Sequence, residues 1–369
     1  MSYKKVLIVS NMYPNKKYPS YGVFVKNFCT QLSDIGIDYN LSVLTKTQNK
    51  LVKLTKYGFF YLKTFFKAWL GRYDLVYIHY PSFSAAPVVV ARKLRKFDIY
   101  TNVHGTDVVP LKATHEKMIG NTNKIINVSQ KTIVPSDYYK QLVIKKYNVL
   151  SENVVVYPSA GVNERVFFEY TDNKKLELRT EYGISDENFV IGFVSRINRA
   201  KGWDVILDAI EKSDWIGKEQ VTIFIVGSGE DDKELEKRIL RLSPEKKETI
   251  RRYPLLPQQK LADIYNLLDV FVFPTMSASE SLGLVAIEAM ACGVPVIASN
   301  YAAPAYYVVD GVNGYKFEKG NSDGLNRRLN QVFRGDEMLR KKLKRGALET
   351  AEKYTKDRIL KILNELFTG

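Results

Sequence analysis

Cysteine is nearly absent. Cys29 and Cys292 are the only two, they lie far apart, and neither has metal-ligand spacing. That argues against a disulfide framework and a structural zinc site, and it fits a reducing cytoplasm. No stretch supplies the roughly 18 uncharged apolar residues that a membrane span needs. The N-terminus runs straight into a strand-like segment, Val6–Ser10, with no signal-peptide core or cleavage site. Short internal repeats and low-complexity segments are also lacking.

What is present is a globular chain. With 369 residues, 45% of them hydrophobic and 26% charged, it can build a core and is too long for one ordinary domain. The formal net charge of +15 is unevenly spread. Residues 1–165 hold 24 Lys and Arg against 9 Asp and Glu, while residues 166–369 hold 31 of each. An excess confined to one half suggests an anionic partner for that half: a membrane surface, a nucleic acid or a phosphorylated substrate.

Short β-branched runs alternate with helical stretches in the first half. The predicted strands are Val6–Ser10, Tyr39–Thr45, Leu75–Tyr80, Ile99–Gly105, Thr132–Pro135 and Val154–Tyr157. Most are almost unbroken apolar runs, as expected for strands buried on both faces of a parallel sheet. A polar stretch over Thr171–Glu187 follows, and the alternation then restarts with Val190–Val194, Val221–Val226, Val270–Phe273 and Val294–Ala298. The fold class predicted is α/β with two Rossmann-like domains facing across a cleft. The boundary falls near Ser159–Phe168. In such sheets ligands bind beyond the carboxyl ends of the strands, so loops there are the places to look for chemistry.

Two such loops stand out. In the string Phe271–Asn300 a strand ends at Pro274, a polar loop carries Glu280, and a Leu-Gly-Leu turn opens a helix that carries Glu288. The amides of Ser281, Leu282, Gly283 and Leu284 are first-turn donors suited to an anion. A carboxylate beside them can accept sugar hydroxyls. A capped helix start explains one carboxylate equally well, but Glu288 falls among Ala286, Ile287, Ala289 and Met290, where a charge needs a partner. The other loop places Arg196 and Lys201 five residues apart after Val190–Val194. A guanidinium fork and an ammonium together suit a diphosphate.

The string ESLGLVAIEAMACGVPVIAS resembles the E-x7-E signature of glycosyltransferase family 4, retaining GT-B enzymes that use nucleotide sugars. GFVSRINRAKGWDVILDAI, VTIFIVGSGE, LADIYNLLDVFVFPT, VHGTD and PSAGVNERVF resemble further elements of that family. The resemblance implies that Glu280 binds donor-sugar hydroxyls and Glu288 the ribose. Arg196 and Lys201 hold the pyrophosphate and stabilise the leaving diphosphate, and the amides from Ser281 to Leu284 contact sugar and phosphates. His104 sits by the reacting centre. Leu255 and Leu256, within Tyr253–Pro257, line the nucleobase through their backbone, and Gly22 lines the donor site from the first domain. The sequence departs from the family at three points: a single Gly22 stands for a paired-Gly loop, Asn163 stands where Asp is commoner, and Glu-Ser-Leu-Gly replaces Glu-Gly-Phe-Gly.

The expected reaction is retaining glycosyl transfer from a nucleotide diphosphate sugar, UDP first, to a lipid-linked saccharide or glycolipid in surface polysaccharide synthesis. The sugar nucleotide is a co-substrate, and no cofactor or metal is expected, since the chain has no Asp-x-Asp. Cations and helix-terminal amides stabilise the leaving group. The alternatives are a GT-B-like epimerase, a sugar phosphorylase or a non-catalytic sugar-nucleotide binder. The turn Gly227-Ser228-Gly229 hints at a dinucleotide-binding oxidoreductase, but it lacks the third glycine and is followed by the acids Glu230–Asp232. The domains expected are an acceptor-binding 1–165, a nucleotide-sugar-binding 166–350, and a helix 351–369 returning to the first.

One further segment draws the anionic partner toward lipid. Residues 50–72 contain six basic residues, no acid and seven aromatics. On a helix Lys53, Lys56, Lys63 and Lys67 share an arc of about 80°. Leu51, Leu54, Gly58, Tyr61, Phe65 and Trp69 share another, expected to face the core. With Lys16, Lys17, Arg92, Lys93, Arg95 and Lys96, these lysines form a patch for anionic lipid. A peripheral enzyme on the inner face of the cell membrane, with no nucleic-acid partner, is the expectation; a packed helix with a solvated lysine face is the alternative.

Overall fold

The computed structural model describes residues 3, 5–159 and 161–368. The chain divides into two compact units, residues 1–160 with 357–369, and residues 161–356. The division falls within the expected boundary zone, five residues before 165. The return to the first unit comes at 357, not 351, because Glu337–Ala351 is a separate helix of the second unit.

The first unit is built on a six-stranded sheet of order β2-β1-β3-β4-β5-β6. Its strands are β1 (Val6–Tyr13), β2 (Tyr39–Thr45), β3 (Leu75–His79), β4 (Asp98–Asn102), β5 (Lys131–Val134) and β6 (Val154–Val156), all paired in parallel. Alternate residues enter different cores. Val6 and Ile8 join Phe28, Leu32 and Tyr77 on one face, whereas Leu7 and Val9 join Phe60, Val76 and Ile78 on the other. This is why β1 reads as an unbroken apolar run. The helix Lys356–Thr368 brings Ile359, Leu363, Leu366 and Phe367 into the first of these cores.

The second unit carries a sheet of order β12-β11-β10-β7-β8-β9. Its strands are β7 (Phe189–Val194), β8 (Val221–Val226), β9 (Ile250–Tyr253), β10 (Val270–Phe273), β11 (Val296–Ser299) and β12 (Gly314–Phe317), again all parallel. In chain order this is the doubly wound arrangement, with its switch point between β7 and β10.

Three elements differ from expectation. Both outer strands, β9 and β12, carry no long apolar run, because an edge strand is covered less than a central one. In β9 the pair Arg251-Arg252 is accommodated at the rim, where Arg252 meets Asp232 and Glu236. The polar stretch after Tyr170 contains a helix, Asp172–Glu181, capped by the Thr171 side chain and burying only Leu178. Its one-sided burial hides the helical period.

Candidate functional site

The switch point of the second sheet brings the two predicted loops together. The loop after β7 runs through Arg196 to Lys201, and the loop after β10 runs from Pro274 to Gly283. They touch backbone to backbone: the Met276 amide donates to the Ala200 carbonyl at 2.9 Å. Gly202 has φ +74°, and a Cβ there would stand 1.9 Å from the Pro274 carbonyl oxygen. Only glycine allows that approach.

The contact aligns the key side chains. Lys201 Nζ lies 2.5 Å from a Glu280 carboxylate oxygen. Both are mostly buried, Glu280 the more so, with 10% of its side chain exposed. Beside them the chain turns through Gly283, at φ +78°, into the helix Leu284–Ala291. A Cβ at Gly283 would strike the Phe273 ring at 2.5 Å and lie 3.0 Å from the Tyr307 hydroxyl. Among the described residues, the amides of Ser281, Leu282, Gly283 and Leu284 donate to no protein acceptor. Four open donors at a helix start, next to a lysine, are suited to holding an anion.

Glu288 lies inside that helix, flanked by buried Ala286, Ile287, Ala289 and Met290, and is 7% exposed. Burial pushes its carboxyl up to about 7, against the pull of the neighbouring Tyr265 hydroxyl. A buried carboxyl at such a sheet edge is a functional candidate on physical grounds. Arg196 is exposed on its loop and makes no ion pair among the described residues. Leu255 and Leu256 lie on the loop after β9, two strands from β7. Leu255 is 80% exposed and Leu256 half-buried.

The Gly-x-Gly turn after β8 has a packing explanation. A Cβ at Gly227 would meet the Ser195 carbonyl oxygen at 1.8 Å, and one at Gly229 the Ile197 carbonyl oxygen at 2.0 Å. These glycines seat the β8 loop against the Arg196 loop. That removes the motif's support for an oxidoreductase.

In the first unit, His104 follows β4 at the carboxyl edge. The Asp107 carboxylate accepts from the His104 amide at 3.0 Å and the Gly105 amide at 2.7 Å. Burial pushes Asp107 up to about 6, while those amides draw it back. His104 Nε2 lies 3.0 Å from His79 Nδ1, at the end of β3. Gly22 takes φ +74° at the start of the helix Val23–Asp34, and a Cβ there would stand 2.5 Å from the Met12 carbonyl carbon.

The helix Lys50–Leu70 is turned differently from its sequence expectation. It buries Phe60, Thr64 and Ala68, with Tyr57, Tyr61, Phe65 and Trp69 partly buried alongside. Leu51 and Leu54, expected to pack, are exposed. So are Val52, Phe59, Leu62, Phe66 and Leu70. The reason lies in β2 and its neighbours: Thr64 Oγ1 hydrogen-bonds Ser42 Oγ at 2.8 Å, which fixes the small-residue side inward. Of the four lysines only Lys53 is exposed, and Lys56, Lys63 and Lys67 are half-buried. Lys67 donates to the Leu41 carbonyl at 3.1 Å, and burial, helped by Lys63 nearby, lowers its pKa. Lys56 reaches toward Thr45 Oγ1.

Several residues at these sites escape sequence reasoning. Tyr307 packs behind Gly283, and its hydroxyl is buried without a hydrogen-bond partner among the described residues. Trp203 Nε1 donates to Asp231 at 3.0 Å, tying the helix after Gly202 to the β8 loop. Tyr307 sits in no motif; Trp203 stands in the quoted string after Lys201, but its tie to Asp231 is not readable there. Only the positions of Trp203 and Asp231 just beyond β7 and β8 offered a signal.

Residues 174–350 match the model of the family described as glycosyl transferases group 1. N-acetyl-alpha-D-glucosaminyl L-malate synthase of Bacillus anthracis is 23% identical over 290 residues, spanning 78% of this chain and 72% of that protein. The capsular polysaccharide biosynthesis glycosyltransferase CapM of Staphylococcus aureus is 29% identical over 231 residues, spanning 62% and 58%. Among solved structures, Anabaena HepE in complex with UDP and glucose matches with a TM-score of 0.74 at 19% identity, over 99% of both chains. The two parallel sheets are those of the GT-B fold. The family match runs through almost the whole second unit, which is that of a glycosyl transferase of group 1.

Proposed function

We propose that this enzyme moves a sugar, with retention of anomeric configuration and without a metal, from a nucleotide diphosphate sugar to a lipid-linked saccharide or glycolipid. The observation that carries the reading is the Lys201–Glu280 pair beside the open amides of Ser281 to Leu284. In glycosyl transfer the anomeric carbon becomes positive as the diphosphate becomes negative. Lys201, Arg196 and the four amides meet the departing charge, which is where fixed dipoles lower the barrier most. Glu280 accepts hydroxyls of the donor sugar and Glu288 those of the ribose. The acceptor hydroxyl enters on the face the diphosphate leaves, and its proton passes to the departing phosphate oxygen. The backbone at Leu255 and Leu256 borders the base, and Gly22 and His104 serve the reacting end. UDP is the first choice of nucleotide, supported by HepE having been solved with UDP and glucose. CapM, named for capsular polysaccharide biosynthesis, supports a glycan acceptor.

Hydrolysis of a panel of UDP-, GDP- and ADP-sugars, with and without a polyprenyl-linked saccharide, tests this. Acceptor-stimulated release of UDP is expected. Interconversion of the sugar with no release of nucleotide supports an epimerase, phosphate-dependent release of sugar 1-phosphate from the saccharide a phosphorylase, and binding without turnover a sugar-nucleotide binder.

The same reading places the enzyme on the inner face of the membrane as a peripheral protein. Among the described residues no helix is long and apolar enough to cross a bilayer. The Lys50–Leu70 helix leaves Leu51, Val52, Phe59, Leu62, Phe66 and Leu70 exposed within an arc of about 100°, with Lys56, Lys63 and Lys67 along one border. An apolar band bordered by cations suits the boundary between headgroups and acyl chains. Each buried Leu or Phe contributes about 1.5–3 kcal/mol. Leu62→Glu with Phe66→Glu is therefore expected to cut partitioning into phosphatidylglycerol vesicles about 100-fold. Charge reversal at Lys53, Lys56, Lys63 and Lys67 should remove the preference for anionic over neutral vesicles. If neither change alters sedimentation with vesicles, the helix is an ordinary packed element.

A further inference from the structure

Two histidines share one hydrogen bond at the carboxyl edge of the first sheet. His79 is 1% exposed and lies against Phe28, Tyr77 and Phe24, with ring centroids 4.7, 5.0 and 5.9 Å away. His104 is partly exposed, with the Phe24 ring 4.4 Å away. We propose that His79 is a positioning residue that fixes His104 as a neutral Nδ1–H donor, its Nε2 lone pair committed to His79. The inference rests on the reading of His104 as a group at the reacting centre.

The geometry leaves two neutral arrangements. His79 Nδ1 and His104 Nε2 are 3.0 Å apart, so one of them carries the shared proton. If His104 carries it, His79 must hold its own proton on Nε2. That atom is buried and has no hydrogen-bond partner among the described residues. A buried N–H without an acceptor is among the rarer defects of folded proteins, more so than an unfilled acceptor. If His79 donates from Nδ1, its Nε2 is only a bare lone pair. His104 then accepts at Nε2 and carries its proton on Nδ1.

His104 Nδ1 is not among the sealed, unpartnered atoms. It is the nitrogen that a ligand can reach. The backbone that carries the ring is pinned by Asp107, which accepts from the His104 and Gly105 amides and makes no hydrogen bond to the imidazole among the described residues. The ring is thus set by His79 and Phe24. It presents a hydrogen-bond donor to an oxygen lone pair, that of a sugar hydroxyl or a phosphate, and cannot serve as a base through Nε2.

With three histidines in the chain, long-range proton–nitrogen spectra of the histidine-labelled protein resolve each ring. His104 and His79 are both expected as neutral Nδ1–H tautomers at pH 7. A proton on His104 Nε2, or an imidazolium at either position, overturns the assignment. His79→Asn keeps a donor near the Nδ1 position and should retain transfer within a few-fold, using the sugar nucleotide the panel identifies. His79→Leu, checked by its melt for an intact fold, should lose about 10- to 100-fold, with the His104 proton no longer confined to Nδ1. A folded His79→Leu at the wild-type rate with an unchanged His104 spectrum overturns the positioning role. His104→Ala at the wild-type rate would overturn the reading of His104 at the reacting centre, and leave the tautomer result standing.

Discussion

Lys201→Ala is expected to lower glycosyl transfer about 100- to 1,000-fold, the usual loss when one preorganised donor to a developing anion is removed. It should also weaken binding of the free nucleotide diphosphate, because the ammonium acts on charge present in product as well as in transition state. Glu280→Gln should behave differently. Its carboxylate lies 2.5 Å from Lys201, so its removal frees the ammonium. Affinity for the free diphosphate should then hold or rise, while transfer falls through loss of the sugar-hydroxyl acceptor. For diphosphate affinity the two changes share one contact and are not expected to add, so the double variant should bind the diphosphate little worse than Lys201→Ala alone. Calorimetry with UDP and transfer rates on the four proteins complete the cycle. Wild-type diphosphate affinity in Lys201→Ala would show that the lysine only buttresses Glu280.

That pairing illustrates what the sequence makes legible and what it conceals. Unbroken apolar runs announce strands covered on both faces, and the sheet centres follow from them. Lys201 and Glu280 each stand just past such a run, so their place at a carboxyl edge is readable. Their ion pair is not, because it depends on β10 lying beside β7, although β10 starts 81 positions after β7 does. Gly202 reads as a helix start, and only the Pro274 carbonyl 1.9 Å from its missing Cβ explains why nothing larger fits. The Lys50–Leu70 helix shows the opposite failure. Its period is clear, yet hydrophobicity alone places the inward face part of a turn off: Tyr61, Phe65 and Trp69 pack as expected, whereas Leu51 and Leu54 do not. Phe60, Thr64 and Ala68 face inward, with Thr64 held by its hydrogen bond to Ser42 of β2, and Phe59, Leu62 and Phe66 are left outside. An amphipathic pattern identifies a helix face only when one apolar stripe is present. Here there are two.

Glu288→Gln is expected to stabilise the protein at alkaline pH and to impair donor binding at once. Burial raises the Glu288 carboxyl from its ordinary 4.5 to about 7. Between those values the folded chain holds a proton that the unfolded chain has released. The associated stability is therefore fully present below about pH 4.5 and is lost as pH rises through about 7. At 1.36 kcal/mol per unit, the difference amounts to about 3 kcal/mol. Glutamine keeps the shape and cannot ionise, so wild type and variant should melt together near pH 4.5. By pH 8 the variant should be ahead by up to about 3 kcal/mol, or several degrees for a domain of this size. On the proposed ribose role, the charge that costs stability is the one the hydroxyls need. Two hydroxyls donating to a carboxylate favour its ionised form, so donor affinity in the wild type should strengthen as pH rises through 7. The glutamine variant should bind the donor weakly and with no such dependence. Melting curves and donor titrations from pH 5 to 8 read both effects. Parallel melts across that range would mean that Glu288 is ionised at low cost in the folded chain. Donor affinity indifferent to both pH and substitution would remove Glu288 from the ribose site.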